Sequence, residues 1–117
     1  MSWFTKISAK KWYGFKVVGF NKEKNQAYSL YGGAGFPISI EIGNIIEAKN
    51  PKGFFLGSTK NYVLQYYSDL TDDEELLLTY EFDIEDLLSS FPGKEETEGE
   101  IRVRKAKLIN IETIDKN

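Results

Sequence analysis

Apolar and polar positions alternate with a period near two over much of this chain, and they lapse into helical spacing only once. Trp12-Tyr13-Gly14-Phe15-Lys16-Val17-Val18-Gly19-Phe20 concentrates aromatic and β-branched residues and predicts a first strand. The polar turn Asn21-Lys22-Glu23-Lys24-Asn25 follows, and Gln26 to Tyr31 alternates as a second strand, completing a hairpin. Ile38-Ser39-Ile40-Glu41-Ile42-Gly43 keeps a strict period of two and predicts a third strand. Ile45 to Ala48 continues as a short strand that ends at the turn Asn50-Pro51-Lys52-Gly53.

Residues 53–67 carry the change of period. The apolar strand Phe54-Phe55-Leu56 stops at Gly57, a hydroxyl residue follows, and Tyr62, Val63, Tyr66 and Tyr67 recur as one helical stripe. Ser58 or Thr59 is the expected helix cap, because a short hydroxyl side chain accepts from an amide that has no partner in the first turn. Asp69 to Glu75 ends the helix and leads into an apolar strand, Leu76 to Phe82. Asp83 to Leu88 suggests a short helical turn capped by Asp83, and Pro92 to Gly99 an exposed loop. Glu100 to Ile114 predicts a long final strand, with a bulge near Arg104-Lys105 where its alternation slips. The elements add up to a single α+β domain spanning 1–117: a curved, mainly antiparallel sheet of about six strands with one principal helix.

Composition removes most catalytic chemistry. The 117 residues contain neither cysteine nor histidine. Disulfides, thiolate metal sites, His general bases and His-dependent triads are therefore excluded. The carboxylates show no EF-hand spacing, so neither a metal site nor a cofactor is expected. No catalytic residue is assigned, since paired acids such as Glu81 and Asp83 need burial to gain a useful pKa. The first residues lack the apolar run of a signal peptide, and nothing approaches the roughly 20 apolar residues of a membrane span. A soluble cytoplasmic protein without membrane partners is the expectation.

The net charge of −3 hides a segregation. Residues 1–68 hold nine Lys/Arg against three Asp/Glu, whereas residues 69–100 hold thirteen acids against one lysine. An acidic face that docks a basic protein is one consequence; solvated loops are the other. Arg102-Val103-Arg104-Lys105-Ala106-Lys107 is basic, but a pI near 5.0 argues against nucleic acid as a partner. The glycine-rich Gly32-Gly33-Ala34-Gly35 lacks the Lys-Ser/Thr of a P-loop and reads as a connection between strands.

Several pieces together resemble small uncharacterised domains of bacteriophages and mobile elements. They are Trp12 to Val18, Glu41-Ile42-Gly43, Gly53-Phe54-Phe55, Tyr66-Tyr67, Leu76 to Phe82 and Ile101 to Ile111. The resemblance implies a phage-related origin, and hence the host cytosol, and brings no established activity. The histidine and cysteines that members carry around the Gly-Phe strand are missing here.

Gly53-Phe54-Phe55-Leu56 followed by Ser58 and Tyr62 also resembles the strand and helix of ADP-ribosyltransferase folds. That resemblance implies that Tyr62 stacks on nicotinamide and that Ser58 or Thr59 fixes the strand. Catalysis is opposed by the lack of histidine and by the position of both arginines, 102 and 104, far from an early strand.

The sequence thus points to a binding module, free of catalytic machinery, that sequesters or blocks a host factor in an anti-defence role. Its candidate ligand-binding residues are Ser58, Thr59, Tyr62, Tyr66, Tyr67, Arg102 and Arg104. A helix N-terminus beside exposed phenols suits a nucleotide-like ligand, and the acidic segment suits a basic host protein. An ADP-ribosyltransferase-like enzyme and a structural phage protein without a small-molecule ligand are the alternatives. Oligomeric state is left open.

Overall fold

The computed structural model of the chain describes residues 11–30, 38–49, 51–90 and 99–115. In chain order its elements are β1 (Lys11–Asn21), β2 (Gln26–Ser29), β3 (Ile45–Glu47), β4 (Phe54–Gly57), α1 (Lys60–Tyr67), β5 (Glu74–Asp83), β6 (Leu87–Ser90), β7 (Glu100–Val103) and β8 (Lys105–Thr113). A 3-10 turn over Ile84–Asp86 separates β5 from β6. The class is α+β: one antiparallel sheet and one α-helix among the described residues. The sheet has eight strands rather than about six, in the order β3-β8-β5-β1-β4-β7-β6, with β2 paired to β1 off that path.

The sheet is curled, and Arg104 shows why it must be. Strands β7 and β8 sit four places apart in the order, yet Arg104 alone joins them. Flat neighbouring strands lie about 4.8 Å apart, so one residue could not bridge that gap unless the sheet bent round on itself. The bend is tied by backbone bonds: Arg104 N–H donates to the Asp86 carbonyl at 2.8 Å, and its own carbonyl accepts from Ala48 N–H at 2.8 Å.

The main core fills the inside of the curl. Val18, Leu76, Leu78, Tyr80 and Phe82 from the central strands meet Leu56, Ile101, Val103, Ala106, Leu108 and Ile46 from the flanking ones. The register Val18↔Leu76 and Val17↔Leu77 puts alternate residues of β1 and β5 on opposite faces. On the other face Val17 and Leu77 pack with Val63 of α1, joined by Phe15, Leu30, Tyr62, Leu64, Tyr67 and Ile114. The helix thus covers the outer face of β1 and β5. Gly57 allows it to lie so close: a Cβ there would stand 2.2 Å from Val63 Cγ1.

Several sequence expectations need correction. Ile38 to Gly43 is not a strand; it ends in a turn in which Asn44 N–H donates to the Glu41 carbonyl at 3.1 Å and Gly43 takes φ +93. Ile38 and Ile40 pack against the core, so their alternation marks a chain draped over it. Asp83 makes no capping bond; its carboxylate is taken by Lys11 at 2.9 Å. The run after the 3-10 turn is strand β6, not helix. The final strand is broken at Arg104, and the register slip in β8 falls opposite Thr79/Tyr80. Residues 32–35, most of the 92–99 loop, Tyr31, Trp3 and Phe4 lie outside the described residues.

Candidate functional site

Strand β1 is longer than the strand beside it. Pairing with β5 runs from Lys11 to Phe20, but β4 meets β1 only at Phe15↔Gly57. Beyond Gly57 the chain turns through Ser58 and Thr59 into α1. The first residues of β1 therefore run alongside a helix start instead of a strand. Between them lies an open groove of about 480 Å³, lined by Lys11, Trp12, Tyr13, Phe15, Ser58, Thr59 and Lys60.

Each wall of this groove has a physical cause. The Thr59 hydroxyl accepts from Tyr62 N–H at 3.1 Å and so starts the helix. Ser58 is anchored to the other side of β4: its N–H donates to the Gly99 carbonyl at 2.8 Å, and its hydroxyl accepts from Gly99 N–H at 2.9 Å. Of the two expected caps, Thr59 takes the role. Trp12 and Tyr13 are adjacent on a strand and point to opposite faces, and they remain 48% and 47% exposed.

The two groove lysines are each held by a carboxylate. Lys11 Nζ lies 2.9 Å from Asp83 Oδ1, and Lys60 Nζ lies 2.9 Å from Glu112 Oε2. The hydrogen bond between Lys11 and Asp83 raises the pKa of the amine and lowers that of the acid. No carboxylate lines the groove itself among the described residues.

The tyrosines divide. Tyr62 stacks obliquely on Tyr66 with ring centroids 5.0 Å apart and meets Tyr67 edge-on at 6.0 Å. Tyr62 and Tyr67 pack on the sheet, while Tyr66 is 57% exposed and Leu64 takes the place expected for it in the packed stripe. The Tyr67 hydroxyl donates to Glu100. Desolvation, and then that bond, push the Tyr67 pKa well above the ordinary phenol value. Lys16, partly buried, has its pKa lowered by desolvation, with the Glu100 charge acting the other way.

The arginines are separated from the groove. Arg102 shares a strand with Glu100, and its guanidinium sits 4.1 Å above the Phe55 ring. Arg104 turns to Asp86, with Nε and a terminal nitrogen 3.2 and 2.9 Å from Oδ1. Of the residues named from sequence, the structure brings Ser58 and Thr59 into the groove and Tyr62, Tyr66 and Tyr67 into one cluster. Arg104 stands apart from both.

Lys11, Trp12, Tyr13, Phe15 and Lys60 are the groove residues that sequence reading missed. A signal was present: two adjacent aromatics on a strand cannot both face one core.

Several carboxylates of the acidic block are engaged within the chain. Glu75 is wholly buried and accepts from three backbone amides. Asp73 accepts from the Tyr28 hydroxyl at 2.6 Å, and Glu74 lies 3.7 Å from Lys22. Asp83, Asp86 and Glu100 are engaged as described above. Glu95, Glu96 and Glu98 lie outside the described residues.

No described helix is long and apolar enough to cross a membrane. Comparison of the chain with protein-family models, curated proteins and solved structures gives no match in any of the three.

Proposed function

We propose that this protein is a non-catalytic binding module, and that its working surface is the groove between the start of β1 and the N-terminus of α1. The observation that carries this is the exposed aromatic lining: Tyr13 shares the α1-facing side of β1 with Lys11, Phe15 and Val17, and Trp12 stands at the groove's edge. Two large aromatics are left half-exposed on an ordered strand, beside two lysines and the first turn of a helix. Aromatic faces stack on planar bases, and cations with helix-terminal amides attract phosphate, so a nucleotide-like ligand fits the lining. In this reading the groove holds its ligand rather than transforming it: the Ser58 and Thr59 hydroxyls shape the junction, and among the described residues no carboxylate belongs to the lining itself.

This choice favours the small ligand over the basic protein partner. Most of the described carboxylates in the acidic block are already engaged within the chain, which leaves less charge for docking. A phage- or mobile-element module that withdraws a nucleotide from its host is the corresponding biological role.

Thermal denaturation with ADP tests the proposal. The melting temperature is expected to rise with ADP concentration, as mass action requires when a ligand binds only the folded state. No rise at millimolar ADP, together with salt-sensitive capture of a basic host protein, would transfer the function to the acidic segment.

A further inference from the structure

We propose that Asp83 and Glu112 are built-in competitors for the groove lysines, which hold down its affinity for nucleoside diphosphates and leave that for uncharged nucleosides untouched. Resting on the reading of the groove as a nucleotide site, the assignment adds which residues restrain its grip on phosphate.

Both cations in the groove lining arrive already neutralised. Lys11 faces Asp83 across the β1–β5 ladder, and their side chains meet at 2.9 Å. Glu112 stands opposite Leu77 on the face that α1 covers, where it reaches Lys60 at 2.9 Å and also accepts from Asn110 Nδ2 at 3.2 Å. All four charged side chains are about half-exposed. Exposed pairs of this kind are weak and screened by solvent, so a ligand can displace them.

A base alone gains stacking on Tyr13 and leaves both pairs intact. A diphosphate can draw both lysines away from their carboxylates and replace each contact with one to a group of higher charge. The carboxylates therefore act as built-in competitors. They lower affinity for every anion, and they lower it most for ligands too weakly charged to displace them.

The test is titration calorimetry with ADP and with adenosine on the wild type and on Asp83→Asn, Glu112→Gln and Glu41→Gln. The Glu41 variant makes the same charge change at an exposed turn outside the groove lining. Asp83→Asn and Glu112→Gln are each expected to tighten ADP binding by up to about fivefold, the worth of one released surface pair. Adenosine affinity should stay unchanged, and Glu41→Gln should behave as wild type. If ADP binds wild type, Asp83→Asn and Glu112→Gln equally, the competitor role is overturned while the nucleotide site stands. An equal gain in Glu41→Gln overturns it too, because net charge would then be the cause. If ADP binds none of the proteins, both the competitor role and the site are wrong.

Discussion

The Glu75 carboxylate accepts the backbone N–H of Leu70 at 2.7 Å, from a side chain with no exposure to solvent. The same carboxylate accepts from Asp69 N–H at 2.6 Å and Thr71 N–H at 3.2 Å, and so folds the turn that returns the chain from α1 to β5. Asp69 is held there at φ +63, a conformation that few side chains adopt without support. Glu75→Ala leaves those amides without their acceptor and should cost about 3–5 kcal/mol in urea denaturation. Glu75→Gln keeps the shape and an acceptor oxygen, and should lose clearly less. Equal stability of Glu75→Ala and wild type would mean that the turn is held by something else.

Gly57 is expected to be intolerant of any side chain. Its Cβ would stand 2.2 Å from Val63 and 3.2 Å from Tyr62, so α1 must lift from the sheet. Gly57→Ala should destabilise by about 1–3 kcal/mol, as overpacking does. Because α1 forms one wall of the groove, the variant should also weaken ADP binding at temperatures where it remains folded.

The two junction hydroxyls should respond differently. Thr59→Ala removes the acceptor for Tyr62 N–H and should cost about 1 kcal/mol, while Thr59→Ser should recover most of it. Ser58→Ala instead loosens the link to Gly99, which hydrogen exchange at the Gly99 amide would report.

Alkaline titration should single out Tyr67 and Tyr80. Burial raises both phenols above their ordinary value, with the Glu100 bond adding to the shift at Tyr67. A group whose pKa is raised on folding contributes stability that is complete below its unfolded value, near 10, and is lost as pH rises beyond it. Phenolate absorbance should therefore show these two tyrosines ionising only together with unfolding.

Much of the sheet was legible because one buried face leaves a period of two. The first two strands, the Phe54–Leu56 strand, the apolar strand at 76–82 and the helix after Thr59 all follow that logic or its helical counterpart. The failures came where alternation had another cause. Ile38 and Ile40 cover the core from a coil, and the Val103-to-Ala106 slip that suggested a bulge is the point where the sheet turns back on itself. The junction was visible from residues 57–59, but its opposite wall depends on where β4 leaves β1. That register is a long-range property, and no local pattern around Trp12 encodes it.

The central claim is that the groove between β1 and α1 is where this protein holds its ligand. Amide NMR spectra of the isotope-labelled protein during an ADP titration test it most directly. Saturable shifts should concentrate at Lys11, Trp12 and Tyr13 and at Ser58, Thr59, Lys60 and Asn61, while β3 and β6 stay still. Shifts confined to other strands, or an unchanged spectrum at millimolar ADP, would contradict it.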